Sequence, residues 1–218
     1  MDINGAVVLV TGANRGLGRA FAQEFAKRGA KVYAGARNPA SVVDEGVIPV
    51  QLDVTDDASV EAAAKELGDV SIVINNAGVL VAGEDVDSIK AEFEVNFFGI
   101  VRTTDAFAPI LKANGGGAIV NVLSILSFLG RPAWRGYAAS KAAGWSLTKS
   151  TREALREQGT NVIAVHAGFI DTDMTTGIDA PKITTKSVVS QVLQAIQNGD
   201  DEVLADDRTR AVKAALAS

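Results

Sequence analysis

Along the chain, short runs of Val, Ile, Leu and Ala without polar alternation are separated by longer segments in which apolar positions recur every three or four residues. The runs without alternation predict strands buried on both faces, at residues 6–10, 31–36, 47–52, 70–75, 118–123, 161–166 and 202–205. Segments with the helical period lie between them, at 16–28, 58–67, 87–113, 134–157 and 185–197. Strands alternating with helices make βαβ units, so the expected fold is α/β: a doubly wound parallel sheet of Rossmann type. No Pro/Ser-rich linker, repeat or low-complexity segment divides the chain, and a single domain over residues 1–218 is expected. Gly115-Gly116-Gly117 follows a predicted helix and precedes a predicted strand, where a glycine C-cap and tight turn are expected rather than a hinge.

Composition narrows the chemistry. With 218 residues and 47% hydrophobic content the chain is long enough to bury one sizeable core. Lys plus Arg is 21 against 26 Asp plus Glu, a net charge of −5, so no general basic field recommends nucleic acid or an anionic membrane as a partner. The absence of Cys excludes a disulfide, a thiolate metal site and a cysteine nucleophile, and a single His excludes His-rich zinc chemistry. No basic segment precedes the first apolar run, and no run approaches the ~20 residues of a membrane helix. A cytoplasmic location is expected.

Three stretches carry candidate chemistry. Thr11-Gly12-Ala13-Asn14-Arg15-Gly16-Leu17-Gly18 sits between the first strand and the first helix. Glycines there let the backbone approach a pyrophosphate, which then meets free N–H groups and the positive end of the helix dipole. The second strand ends in Gly35-Ala36-Arg37-Asn38, with no carboxylate to receive ribose hydroxyls. Arg37 and Arg15 could instead hold a 2′-phosphate, which points to NADP; singly, either is as well read as a solvated surface charge. Asn75-Asn76-Ala77-Gly78 falls at the carboxyl end of the fourth strand, where the crevice of such a sheet opens, and Asp53 ends the third strand. In isolation both are also ordinary turn formers.

Tyr137 and Lys141 stand four residues apart near the start of a predicted helix, on one face. A cation within reach lowers a phenol pKa by ~1–3 units, which suits the pair to acid–base work. Ser124 ends the fifth strand and could hydrogen-bond a substrate oxygen, while Asn96 lies inside the long preceding helix.

Taken together, the loop from Thr11 to Gly18, the stretch from Asn75 to Gly78, and Asn96, Ser124, Tyr137 and Lys141 resemble the motifs of the short-chain dehydrogenase/reductase family, in order and approximate spacing over almost the whole chain. The resemblance implies an enzyme that reduces a carbonyl by hydride transfer, with a catalytic tetrad of Asn96, Ser124, Tyr137 and Lys141. Tyr137 would donate the proton, Ser124 hold the oxygen, Lys141 tune the phenol and contact ribose, and Asn96 hold a relay water. It implies NADP(H) held by Gly12, Asn14, Arg15, Gly16, Leu17 and Gly18, by Arg37, Asp53 and Val54, by Asn76, Ala77 and Gly78, by Tyr137 and Lys141, and by Gly168, Ile170 and Thr172. It also implies a homodimer or homotetramer, and residues 106–111 and 145–155 carry apolar positions beyond one stripe.

Where the family has Asn-Pro-Gly after the sixth strand, this chain reads His166-Ala167-Gly168, and a loop freer than usual is expected. His166 reads as a packing residue, and residues 173–184 are short for a substrate-covering segment. Ser124, Ile125, Leu126, Phe128, Trp134, Phe169 and Met174 flank the catalytic segments, which predicts a mostly apolar pocket for a small uncharged ketone or aldehyde. Arg131 or Arg135 could instead meet an anionic substrate; exposed arginines need no special role, which favours the uncharged one. Two rivals remain: a reductase of carrier-bound 3-ketoacyl chains, for which an acidic chain offers no obvious docking face, and a non-catalytic nucleotide-sensing Rossmann protein.

Overall fold

The computed structural model describes residues 1–216. Seven parallel strands, β1 (Val7–Thr11), β2 (Lys31–Ala36), β3 (Ile48–Gln51), β4 (Ile72–Asn75), β5 (Gly117–Val122), β6 (Thr160–His166) and β7 (Glu202–Leu204), form one sheet in the order β3-β2-β1-β4-β5-β6-β7. The strands run without polar alternation because both faces are covered. Val8 and Val10 of β1 point toward Phe21 and Phe25 of α1 (Gly16–Lys27) and Val192 and Leu193 of α6 (Thr185–Asn198). Leu9 between them joins the opposite layer with Val60 of α2 (Asp57–Glu66) and Phe107 and Leu111 of α4 (Gly99–Ala113). Each such side chain, fully buried, contributes about 1.5–3 kcal/mol, which is what the two layers add to the sheet's hydrogen bonds.

The strand order reverses between β1 and β4, so the carboxyl ends of these two diverge and leave a crevice. The segment expected as one helix over 87–113 is α3 (Val86–Phe93), a π-helical turn (Glu94–Phe98) and α4 in unbroken succession. Helix α5 (Arg135–Leu155) crosses behind β5 and β6. Gly115 to Gly117 form the turn expected of them, with the Gly116 N–H donating to Leu111 O at 2.8 Å. Asp56, Asp85 and Thr184 cap α2, α3 and α6 with their side chains. By contrast, Arg15 precedes α1 without a side-chain cap, and the first-turn N–H groups of that helix face the crevice unclaimed.

The sequence pattern missed α7 (Asp207–Ala215), capped by Asp206. This helix is tied to the sheet through Lys213, whose ammonium lies 2.7 Å from Glu202 Oε1. The same oxygen stands 3.5 Å from His166 Nε2, and His166 Nδ1 meets the Ser124 carbonyl at 3.1 Å. The His166 ring and then the Lys213 ammonium hold the Glu202 carboxyl well below the usual carboxylate range, at about 2, against burial. A depressed carboxyl stabilises the fold above its unfolded pKa and loses that contribution as the pH falls through the folded one. Glu202→Gln is therefore expected to destabilise the fold at neutral pH, by an amount that solvent screening of this half-buried carboxylate keeps modest. In urea titrations the gap between the two proteins should close as the pH falls from 4.5 toward 2; an equal gap at both ends contradicts the linkage.

Candidate active site

The carboxyl ends of β1 to β6 line one cavity of about 790 Å³, which runs from the glycine loop to the start of α5. Its first wall is the loop after β1. Gly12 and Gly16 have φ of +64° and +54°, which only glycine adopts without strain. Gly18 lies beneath the cavity rather than on its wall: a Cβ there would stand 2.2 Å from Gly12 O, so its bare hydrogen lets helix and loop close together. Asn76 fastens this loop to the end of β4, its Nδ2 donating to Thr11 O at 3.0 Å, while Thr11 Oγ1 accepts from the Asn76 and Ala77 N–H groups.

Asn14, Arg15, Leu17, Arg37, Asp53, Val54, Ala77, Gly78, Ile170 and Thr172 all line the cavity, as expected. Arg15 and Arg37 are exposed, their guanidinium groups have no hydrogen bond or ion pair among the described residues, and Ala36 leaves the end of β2 without a carboxylate. These residues fit a dinucleotide carrying a 2′-phosphate: uncapped N–H groups and the unpaired Arg15 stand at the glycine loop, and the unpaired Arg37 at the β2 end. Asp53 Oδ1 is taken by the Thr55 N–H and hydroxyl, so it is a turn residue whose second oxygen stays available.

At the other end stand Ser124, Tyr137 and Lys141. Ser124 opens a 3-10 turn (Ile125–Ser127), its Oγ accepting from the Leu126 N–H at 3.1 Å, which leaves the hydroxyl proton to be donated on the Tyr137 side. Lys141 is 3% exposed and donates to Val122 O at 3.0 Å; its ammonium lies 5.6 Å from the Tyr137 ring centre. Burial pushes Lys141 down to about 8. Burial also pushes the Tyr137 hydroxyl up to about 12, opposed by a hydrogen bond with Ser124 and reinforced by the Glu92 carboxylate. This corrects the expectation of a phenol lowered by the lysine, because the ammonium is turned to a carbonyl and desolvation prevails.

Asn96 does not reach the cavity. Set in the π-helical turn, fully buried, it accepts from the Val79 N–H at 2.8 Å and donates to Val79 O and to Ser140 Oγ. Its amide protons are both spent on fixing the segment after β4 beside Lys141. The loop after β6 is likewise held. Asp206 accepts from the Gly168 N–H at 2.7 Å, and the segment closes on itself where the Ile183 N–H donates to Phe169 O and the Asp171 N–H to Ile183 O. Where the family has proline, Ala167 stands beside a hydrogen bond from Gly168 to Asp206, the residue that caps α7.

Of the residues read as a substrate pocket, Ser124, Ile125, Leu126, Trp134, Phe169 and Met174 line the cavity and Phe128 does not. The 3-10 turn points its ring to the rear, 4.3 Å from His166 and 4.8 Å from Trp145, with Lys213 over its face. Leu80, Val95, Leu129, Ile178 and Arg208 line the cavity without having been read from the sequence. Arg135 is turned away to Glu84, whose backbone carbonyl it meets and whose carboxylate lies 3.3 Å from its Nε.

A family profile described as short chain dehydrogenase matches residues 6–182. Among curated proteins, the 3-oxoacyl-[acyl-carrier-protein] reductase of Vibrio cholerae is 34% identical over 193 residues, covering 82% of this chain and 79% of its own. The galactitol 2-dehydrogenase of Agrobacterium fabrum is 36% identical over 195 residues, covering 83% and 76%. Among solved structures, a short chain dehydrogenase from Burkholderia cenocepacia in complex with NADP shares 40% identity and superposes with a TM-score of 0.95 over 100% of this chain and 95% of its own.

Proposed function

The chain belongs to the short-chain dehydrogenase/reductase family of oxidoreductases, and from that premise we propose that it is an NADPH-dependent reductase of a small ketone or aldehyde that is mostly apolar around its carbonyl. The observation that carries this reading is one continuous cavity with unpaired Arg15 and Arg37 at one end and Ser124, Tyr137 and Lys141 at the other. Residues 1–218 act as one dinucleotide-binding catalytic unit in the cytoplasm. No helix among the described residues is long and apolar enough to cross a membrane.

When bound, the reduced nicotinamide supplies the hydride that the carbonyl carbon takes up. The Ser124 hydroxyl, with its oxygen occupied by the Leu126 N–H, donates its proton as a hydrogen bond to the carbonyl oxygen. Tyr137, at about 12, stays protonated at neutral pH and gives its proton to that oxygen as negative charge develops. Lys141, anchored on Val122 O, keeps two ammonium protons for the ribose hydroxyls. Asn96 acts through Val79 as a positioning group.

Addition of carbonyl compounds should make NADPH absorbance fall, with free ketones and aldehydes preferred. A reductase of carrier-bound 3-ketoacyl chains is the second reading, favoured by the identity to the Vibrio cholerae protein; turnover confined to carrier-linked substrates would select it. Reduction should hold steady from about pH 6 to 7, where Tyr137 stays protonated and Lys141 charged, and fall as Lys141 loses its proton around pH 8. Oxidation of the product alcohol should quicken with rising pH, because Tyr137 must first lose its proton. The opposite pair of slopes contradicts the assignment. Assembly into a homodimer or homotetramer belongs to the same reading, supported by Phe98, 44% exposed on the turn before α4; light scattering at micromolar concentration should show no monomer.

A further inference from the structure

Seven charged side chains line the cavity: Arg15, Arg37, Asp53, Arg131, Lys141, Asp173 and Arg208. The proposed chemistry employs Arg15, Arg37, Asp53 and Lys141 but gives no work to Arg131 or Arg208. Both of these are exposed, and neither guanidinium has a hydrogen bond, an ion pair or an aromatic ring against it among the described residues. That sets them apart from Arg135, Arg152, Arg156 and Arg210, which are all engaged with carboxylates.

Their placement converges. Arg131 lies between Leu129 and Trp134, which pack on a buried cluster of Ile125, Leu126 and Ala138 together with Tyr137. Val212 of α7 packs on the same cluster, and Arg208 stands one helical turn before Val212, on the same face. Two segments far apart in the chain thus bring two free guanidinium groups to the end of the cavity where Tyr137 stands, across apolar walls of Leu126, Leu129 and Trp134. Arg208 is also in the first turn of α7, where a positive charge opposes the helix dipole and gains nothing from the helix itself.

We infer that Arg131 and Arg208 form a recognition site for an anionic group, carboxylate or phosphate, carried by the carbonyl substrate at the far end of an apolar segment. The inference rests on the reductase reading and refines it: the substrate is apolar around the carbonyl and anionic at its tail. A guanidinium offers a planar fork that fits either anion, and at the cavity mouth it reaches the ligand without having to be buried unpaired beforehand. Asp173, whose carboxylate has no hydrogen bond or ion pair among the described residues, also lines the cavity and favours a substrate with a single anionic end over one charged along its length.

A test that needs no turnover is binding of a medium-chain alkanoate, the alkyl phosphate of the same length and the matching alkanol to the protein with NADP⁺ present, read by quenching of tryptophan fluorescence. The alkanoate or the alkyl phosphate should bind at least about tenfold more tightly than the alkanol, and whichever does so identifies the anion. Arg131→Gln with Arg208→Gln should abolish that advantage and leave alkanol binding unchanged. Kinetics then separate this inference from the reading beneath it. An oxo acid should show about tenfold higher kcat/KM than its methyl ester in the unmodified protein, and equal values in the double variant. Equal binding of anion and alkanol, or an advantage that survives both substitutions, overturns the inference while leaving the reductase intact. Anion-selective binding without reduction of either carbonyl compound upholds the site and overturns the reductase.

Discussion

Tyr137→Phe is expected to lower kcat by roughly 10²–10⁴-fold while NADPH binding stays almost unchanged. The substitution removes one hydroxyl from the cavity wall and touches none of the glycine loop with its Arg15, the Asn76 fastening or Arg37 at the β2 end. The loss is large because no other acid within the site is placed to replace it: Ser124 is far too weak an acid, and Lys141 is turned to Val122 O. A fall in kcat and kcat/KM together, with cofactor titration unaltered, is the pattern of an interaction made in the transition state alone. Lys141→Ala should damage both turnover and cofactor binding, because its two remaining ammonium protons are the ones proposed to hold the ribose and so to set the cofactor against the carbonyl. A Phe variant within a few-fold of the parent would require another proton donor.

The second large effect concerns cofactor choice. Arg15 and Arg37 are free of protein partners and line the cavity where β2 ends in Ala36. Charged hydrogen bonds from each to a 2′-phosphate contribute on the order of 1.5–3 kcal/mol, or about tenfold to a hundredfold apiece in affinity. NADPH should therefore be preferred to NADH by two orders of magnitude or more in kcat/KM. Ala36→Asp with Arg37→Ala removes one attraction and sets a carboxylate where the phosphate would lie, so the preference should move toward NADH. Equal kcat/KM for the two cofactors in the unmodified protein contradicts this assignment.

The sequence disclosed most of the sheet, because a strand buried on both faces must be apolar at every position; β2 falls on its expected residues and β6 begins one residue early. The π-helical turn at Glu94–Phe98 was not visible, since it keeps the apolar spacing of the helices on either side. Its consequence is chemical, for it turns Asn96 onto Val79. Helix α7 escaped because it is short and mostly polar, and its burial depends on Val212 meeting a cluster assembled from elsewhere in the chain. With α7 went Arg208, the Asp206 tether on Gly168 and the Lys213–Glu202 link behind Ser124. The tetrad residues were legible as types at a spacing, but Phe128 shows the limit of that: it is flanked by the cavity-lining Leu126 and Leu129, yet a tight turn sends it the other way. The Tyr137 pKa was misjudged for a related reason. Spacing tells that a lysine is near, and only coordinates tell that its charge is spent on a carbonyl while burial governs the phenol.

The central claim, that the cavity joins reduced NADP to a carbonyl with Tyr137 as acid, is tested most directly by following the hydrogen. NADPH deuterated on one face of the nicotinamide C4 would be mixed with the protein and a reducible ketone, and the product alcohol analysed by mass spectrometry and NMR. The account predicts deuterium on the carbinol carbon from one labelled face alone, with the hydroxyl hydrogen drawn from solvent through Tyr137. Alcohol formed with no deuterium on that carbon, or no alcohol from any carbonyl compound while NADPH binds normally, would contradict it.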